Sequence, residues 1–399
     1  IRQRSEPSQF VRYSSQSMQL TEELRLPDRA ERLFHALDRT VQPGRSYRLM
    51  EFCGGHTHAL CHFGLLDRLP SSIRMIHGPG CPVCVLPIGR LQQAIDLAIH
   101  QRVMLCSYGD LLRVKGRSHQ SLQNARSLGA DVRVVYGPMD ALALAKKHPD
   151  REVVFLAVGF ETTTPMTAAT VEQARKESIR NFSVLCNHVL TPAALSALLS
   201  ATKDPVQVDG FIGPGHVAAV IGSDAFSAIS QTFSKPIVIA GFEPIDLLAS
   251  LLHLIELLNQ GQSIVLNDFA RAATPEGNRR AQAIIHQVME LRDSFAWRGL
   301  GELANSALRL RDSYRDYDAE HRFSLSTESI PDHRACRCPD VLRGSCIPTD
   351  CTLFGTACTP DSPLGSCMVS AEGACAAYFL HRPQRLLRKV HVTSSPSTP

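Results

Sequence analysis

Residues 153–165 read VVFLAVGFETTTP. Six apolar residues in succession, Val153 to Val158, give way to a glycine, a carboxylate and three threonines, and then Pro165. An unbroken apolar run of this length suits a strand buried on both faces, as in a parallel sheet. The pattern recurs. Apolar runs at 47–52, 73–76, 103–107, 132–136, 153–158, 182–186, 210–212 and 237–240 each end in a Gly-rich or polar turn. Segments between them, such as 91–100, 141–148 and 193–200, carry helical patterning. This is βαβ repetition and predicts an α/β fold with parallel sheets.

Bulk composition narrows the function classes. At 399 residues the chain has room for roughly two to three domains. Hydrophobic residues at 44% and charged residues at 20% exclude wholesale disorder. A net charge of +4 from 42 basic and 38 acidic residues is too small to argue for nucleic acid. The most apolar stretch, 245–258, is short and carries Asp246, His253 and Glu256, so no membrane span is expected. The first 20 residues are polar and lack the apolar core of a signal peptide. A start at Ile1 reads as a fragment or a processed end, with Met18 a candidate start. These features predict a cytoplasmic protein with reduced thiols.

The cysteines are the anomaly. Of 13, seven lie between Cys336 and Cys375 and six in the preceding 335 residues. In a reducing compartment such thiols point to metal binding or redox chemistry. The dense segment is rich in Pro and Gly and cannot build an apolar core of its own, so a bound metal or cluster would supply stability. Cys351, Cys358, Cys367 and Cys375 lie seven to nine residues apart with no second CxxC, which favours a [4Fe–4S] cluster over zinc.

The remaining motifs all follow apolar runs, where open α/β sheets place ligands. In Cys53-Gly-Gly-His56-Thr-His58 a thiolate and two imidazoles can converge on one metal, or form a Gly-rich turn with a half-buried thiol. Cys81-Pro-Val-Cys84 can share a metal or close a small disulfide. Glu161 with its threonines can bind a polar ligand or move a proton, or the threonines can cap the next helix. His216, in GPGH, can face the cleft, though a lone histidine is more often structural, and Asp110 is similar. Cys61, Cys106 and Cys186 read as buried core thiols. GPG at 78–80 and 213–215, and GFE at 159–161 and 241–243, hint at two duplicated lobes around a shared cleft or at chance recurrence. No P-loop, dinucleotide fingerprint or CxxxCxxC triplet occurs.

Past Ser263 the strand rhythm stops, and 268–310 has a helical pattern through Ala283, Ile284, Val288 and Leu291. The predicted division is a disordered extension (1–20), α/β lobe I with CGGHTH and GPGCPVC (21–140), and α/β lobe II with GFETTTP and GPGH (141–262). A helical and [4Fe–4S] domain (263–381) and a disordered tail (382–399) follow.

Taken together, FCGGHTHAL, HGPGCPVCVLP, GFETTTP, GPGHV and CTLFGTACTP…PLGSCMVSAEGACAAY resemble the HypD family of [NiFe]-hydrogenase maturation scaffolds, from about Leu20 to His381. The resemblance implies a scaffold that works with a HypC-type chaperone, not a turnover enzyme. It carries iron while two cyanides and one carbon monoxide are attached. A HypE-type partner delivers the cyanides, and the Fe(CN)2CO unit passes to the hydrogenase large-subunit precursor. It implies two α/β lobes and a third domain with a [4Fe–4S] cluster. It makes Cys53 the iron-binding residue with His56 beside it, and Cys81 and Cys84 a redox-active pair. Cys338, Cys351, Cys358 and Cys375 match the cluster ligands, with Cys367 the alternative and Cys336 and Cys346 set behind. Lys115 stands where the family pattern has proline. The reading from another class is a cluster-linked thiol–disulfide oxidoreductase. A structural zinc protein is the third.

Overall fold

The computed structural model describes residues 22–201, 205–325 and 328–382. The expected extension, Met18 and nearly all of the expected tail lie outside these residues. All eight expected strands are present: β1 (Tyr47–Glu51), β2 (Ile73–His77), β3 (Met104–Ser107), β4 (Val132–Val134), β5 (Val153–Gly159), β6 (Phe182–His188), β7 (Gly210–Pro214) and β8 (Ile237–Ala240). A ninth, β9 (Val265–Asn267), was not expected from the sequence, because it is only three residues long and half-buried. Every residue of β5, β6, β7 and β8 is buried, as unbroken apolar runs require.

The strands form two parallel sheets with orders β2-β1-β7-β8-β9 and β4-β3-β5-β6. Two α/β lobes followed by a Cys-rich region with short helices is therefore the observed architecture. The lobes, however, do not divide the chain at 140. The first sheet takes β1 and β2 and then, after the whole second sheet has been built, β7 to β9. Residue Leu49 of β1 pairs with Gly210 of β7. GPGH and CGGHTH therefore share one lobe, and both GPG turns sit on the same sheet. They are not a signature of lobe duplication. The sequence pattern shows where strands lie but not which strand each will choose as neighbour.

The expected helix across 268–310 also needs correction. A helix covers Arg279–Val288, where the spacing of Ala283, Ile284 and Val288 is helical. The chain then forms two antiparallel pairs: Met289–Leu291 with Leu308–Leu310, and Ser294–Trp297 with Gly301–Ala304. Positive φ at Gly299 and Gly301, 84° and 80°, turns the inner pair back on itself.

One apolar core runs through the molecule. It joins Met50 and Ile76 of the first sheet to Leu105 and Val154 of the second, and continues into Cys338, Cys358 and Cys375. The outer face of the first sheet packs on helices Pro27–Thr40 and Pro244–Gln260. The second sheet has its own outer core, with Phe155, Val171 and Val288. Buried Arg90 and half-buried Arg292 both bind Glu320, Arg90 at 2.5 Å, and tie the second lobe to the region after 289. Arg90 and Arg292 hold the Glu320 carboxyl down at about 2 against the opposing effect of burial.

Candidate functional site

In the first sheet the strand order reverses between β1 and β7. The crevice at such a switch point lies beyond the carboxyl ends of the strands, and the loops after β1 and β7 flank it. Cys53 follows β1 and caps the helix Gly54–His62. Its N–H donates to Glu51 Oε2 at 3.0 Å. Burial pushes the Cys53 thiol up to about 12, with the carboxylates of Glu372 and Glu51 adding to it. The N–H groups of Gly55 and His56 at the helix start pull the other way. The free thiolate is therefore disfavoured there, and a bound cation would favour it.

The Cys53 loop is locked to the loop after β2. Gly54 N–H donates to Gly80 O at 3.0 Å, and a Cβ on Gly80 would lie 2.5 Å from the Cys53 backbone. Only glycine allows this approach, and it places Cys81 one residue from the contact. Cys81 and Cys84 are joined in a disulfide across a single helical turn, Pro82–Val85. Both are buried, with Cys84 fully so. Reduced thiols were the general expectation, with this pair left open between a shared metal and a small disulfide; 11 cysteines are free and the pair forms the disulfide.

His56 and His58 do not converge on one metal with Cys53. Two positions apart on a helix, they point in different directions. His56 is buried against Phe242, ring centroids 4.6 Å apart, with Nε2 3.3 Å from Ala240 O. Burial lowers it to about 4. His216, exposed after β7, also stacks on Phe242, at 3.7 Å. His58 instead lies edge-on to His381, 4.8 Å away.

Glu161 lies two residues past the end of β5 in the second lobe. Its Oε1 accepts from Thr191 N–H and its Oε2 from Thr191 Oγ1, both at 2.8 Å. Among the described residues it is hydrogen-bonded to none of Cys53, His56, Cys81, Cys84 or His216, and its geometry is that of an anchor for the helix Thr191–Ser200. Thr164 Oγ1 donates back to Phe160 O at 2.9 Å. Burial raises the Glu161 carboxyl to about 7. The folded state thus keeps a proton that the unfolded chain releases near the ordinary carboxyl range. Stability from this group is complete at low pH and is lost as pH rises towards 7, by about 3 kcal/mol. Urea midpoints for wild type and Glu161→Gln should diverge between pH 5 and pH 8, with wild type losing more. A pH-independent difference would rule this out.

Six cysteines, Cys336, Cys338, Cys351, Cys358, Cys367 and Cys375, line one pocket. Cys338 Sγ and Cys367 Sγ are 2.7 Å apart. Cys346 packs elsewhere, with Val341 and Ala374. Such a set of converging soft donors is compatible with an iron–sulfur cluster. Ser366 bridges this pocket and the disulfide: its Oγ donates to Cys84 O at 3.1 Å and lies 3.6 Å from Cys338 Sγ. Asp110 has a strapping role, accepting from Ser370 Oγ at 2.8 Å, and Arg113 donates to Val369 O at 3.0 Å.

The chain matches the family described as "HypD: Hydrogenase formation hypA family" over residues 28–382. It is 54% identical over 371 residues to the hydrogenase maturation factor HypD of Azotobacter vinelandii, covering 92% of this chain and 98% of that one. It is 50% identical to HypD of Cupriavidus necator H16, covering 91% and 97%. With HypD of Escherichia coli K12 it shares 43% over 373 residues, covering 94% and 97%. The chain belongs to the HypD family. It is a hydrogenase maturation factor, an assembly scaffold and not a classical turnover enzyme. Among the described residues no helix is long and apolar enough to cross a membrane.

The candidate site contains residues that the sequence reading passed over. Glu51 is fully buried and accepts from Cys53 N–H, Thr57 Oγ1 and His77 Nδ1, the last at 2.7 Å. An ionised carboxylate only accepts, so His77 donates from Nδ1 to Glu51, and its Nε2 is hydrogen-bonded to the Tyr378 hydroxyl at 2.8 Å. Tyr378 lies three residues after Cys375 on the helix Ala374–His381. A buried polar chain thus runs from the Cys53 backbone to the cysteine-rich region. The available signal was a titratable residue at the carboxyl end of each of two strand runs: Glu51 in YRLMEF and His77 in IRMIH.

Proposed function

We propose that the chain is the platform on which iron receives two cyanides and one carbon monoxide, before the Fe(CN)2CO unit passes to a [NiFe]-hydrogenase large-subunit precursor. What supports this most is the setting of Cys53. It is a half-buried thiol at a sheet switch point, held by Glu51 and locked through Gly80 to the Cys81–Cys84 pair. Iron is cargo here. Cys53 offers it one thiolate and a HypC-type chaperone offers another, so neither protein alone owns the metal. His56 stands beside it as a neutral imidazole. A groove of about 630 Å³ next to the same helix, lined by Ala59, Phe63, His216, Phe242 and Phe269, gives a partner room to dock. A HypE-type partner supplies the cyanides.

Cys338, Cys351, Cys358 and Cys375 are the proposed ligands of a [4Fe–4S] cluster, and Cys367 and Cys336 share the pocket wall. When bound, that cluster supplies one-electron transfer. The chain's own redox group is the Cys81–Cys84 disulfide, whose reduction takes two electrons and two protons to give two thiols. Ser366 holds the Cys84 carbonyl against the cysteine pocket.

The disulfide also favours the oxidoreductase reading, but its burial opposes it. Exchange with an outside thiol needs in-line access to a sulfur, and Cys81 and Cys84 are 3% and 0% exposed.

The test is anaerobic co-purification of the full chain with a HypC-type chaperone, followed by infrared spectroscopy. Iron-bound cyanide and carbon monoxide stretches are expected in a brown complex. A colourless complex carrying zinc, or a brown one without those stretches from cells that mature hydrogenase, would overturn the proposal.

A further inference from the structure

The helix that starts at Cys53 carries a second cluster of ligands on its outward side. His58 and His62 are one turn apart on it, and their rings lie 5.6 Å apart and nearly parallel. His381, the last residue of the helix Ala374–His381, meets both edge-on, at 4.8 and 4.9 Å between centroids. One nitrogen from each ring lies within 4.8 Å of one from each of the others. His62 Nδ1 and His381 Nδ1 are 3.5 Å apart.

Two features set this cluster apart from a chance meeting of histidines. First, His58 Nδ1 and His381 Nε2 are buried and have no hydrogen-bond partner. A buried polar atom left unpaired is unfavourable, so these rings lack a partner that the described residues do not supply. Second, the helix end is fixed. Arg382 pairs with Asp67 and lies 4.9 Å over the Tyr378 ring, so His381 is held where it is.

We propose that His58, His62 and His381 form a binding site for a late first-row divalent cation such as zinc or nickel. The donor set decides the class. Three neutral imidazoles suit borderline ions of the zinc, copper and nickel group and do not suit magnesium or calcium, which take oxygen ligands. Three protein ligands also leave a coordination position free for water or a partner's ligand. The ion would cross-link the helix of Cys53 to the helix of Cys375, two elements that the buried Glu51–His77–Tyr378 chain already joins from inside. The site uses neither Cys53 nor the cysteine pocket, although His58 and His62 also line the groove offered to a docking partner.

The experiment uses full-length, cluster-loaded protein under anaerobic conditions, titrated with Zn²⁺ against a competing chromophoric chelator. One Zn²⁺ per chain is expected that His62→Ala and His381→Ala both lose. Losing a direct ligand should weaken binding by more than the roughly 10–100-fold that an outer partner costs. His62 is exposed, so its removal leaves the fold intact. Co²⁺ bound at this site should give a nitrogen-type spectrum without sulfur charge-transfer bands. Zn²⁺ should raise the unfolding temperature of wild type and not of His62→Ala. Equal Zn²⁺ affinity in wild type and both variants, or thiolate bands for Co²⁺, would overturn the assignment.

Discussion

Replacing Cys53 with alanine is expected to abolish the infrared stretches of iron-bound cyanide and carbon monoxide, and with them hydrogenase maturation, while the protein still folds. The sulfur is half-buried at a helix start, and the structural anchors around it are backbone groups: Cys53 N–H on Glu51 and Gly54 N–H on Gly80. Alanine keeps all of them. Cys53→Ser is the sharper control. Serine is a better helix cap than alanine and nearly matches cysteine in size, but an alkoxide is a poor ligand for iron bearing π-acceptors. A serine variant that unfolds like wild type and carries no diatomics would tie the loss to the sulfur. Retention of the stretches in either variant sinks Cys53 as the iron ligand.

The second large effect is on stability. Glu51→Ala should lower the unfolding free energy by about 3–5 kcal/mol, the cost of removing one partner from a buried charged network. Three donors lose their acceptor at once: Cys53 N–H, Thr57 Oγ1 and His77 Nδ1. The Thr57 and His77 groups are shut off from water, since Glu51 is 0%, His77 2% and Thr57 3% exposed. Glu51→Gln keeps the shape and one acceptor oxygen, but turns an N–H towards groups that are themselves donors. It should recover part of the loss. Denaturant midpoints measure both variants. A cost below about 1 kcal/mol for alanine would mean that the network is replaceable.

The strands were legible because both faces of each are buried, which leaves runs such as VVFLAV without interruption. Cys53, Cys81 and Cys84 were legible because Gly and Pro surround them at strand ends. What failed did so for physical reasons. Strand neighbours depend on contacts between residues far apart, as in Leu49 with Gly210. The short antiparallel pairs after Met289 are set by Gly299 and Gly301 and carry little periodicity. His56 and His58 look like partners in the sequence, yet a helix turns each successive residue by about 100° and separates them. Tyr378 could not be paired with His77 by eye, 301 residues away.

The path of the chain through the two sheets also constrains how the protein comes off the ribosome. β7 is the middle strand of the first sheet, and it reaches β1 across 161 residues. Until it is synthesised, β1 and β2 have an open edge and no centre to join. The second sheet, whose strands all lie between Met104 and His188, is made in one stretch and can close while the first still waits. Loop-closure entropy falls on the first sheet, and with it the slower folding of non-local topologies. The sheet that carries Cys53 is thus the later of the two to receive all its strands, and a nascent chain halted before residue 210 holds its CGGHTH loop without the strand that makes the crevice.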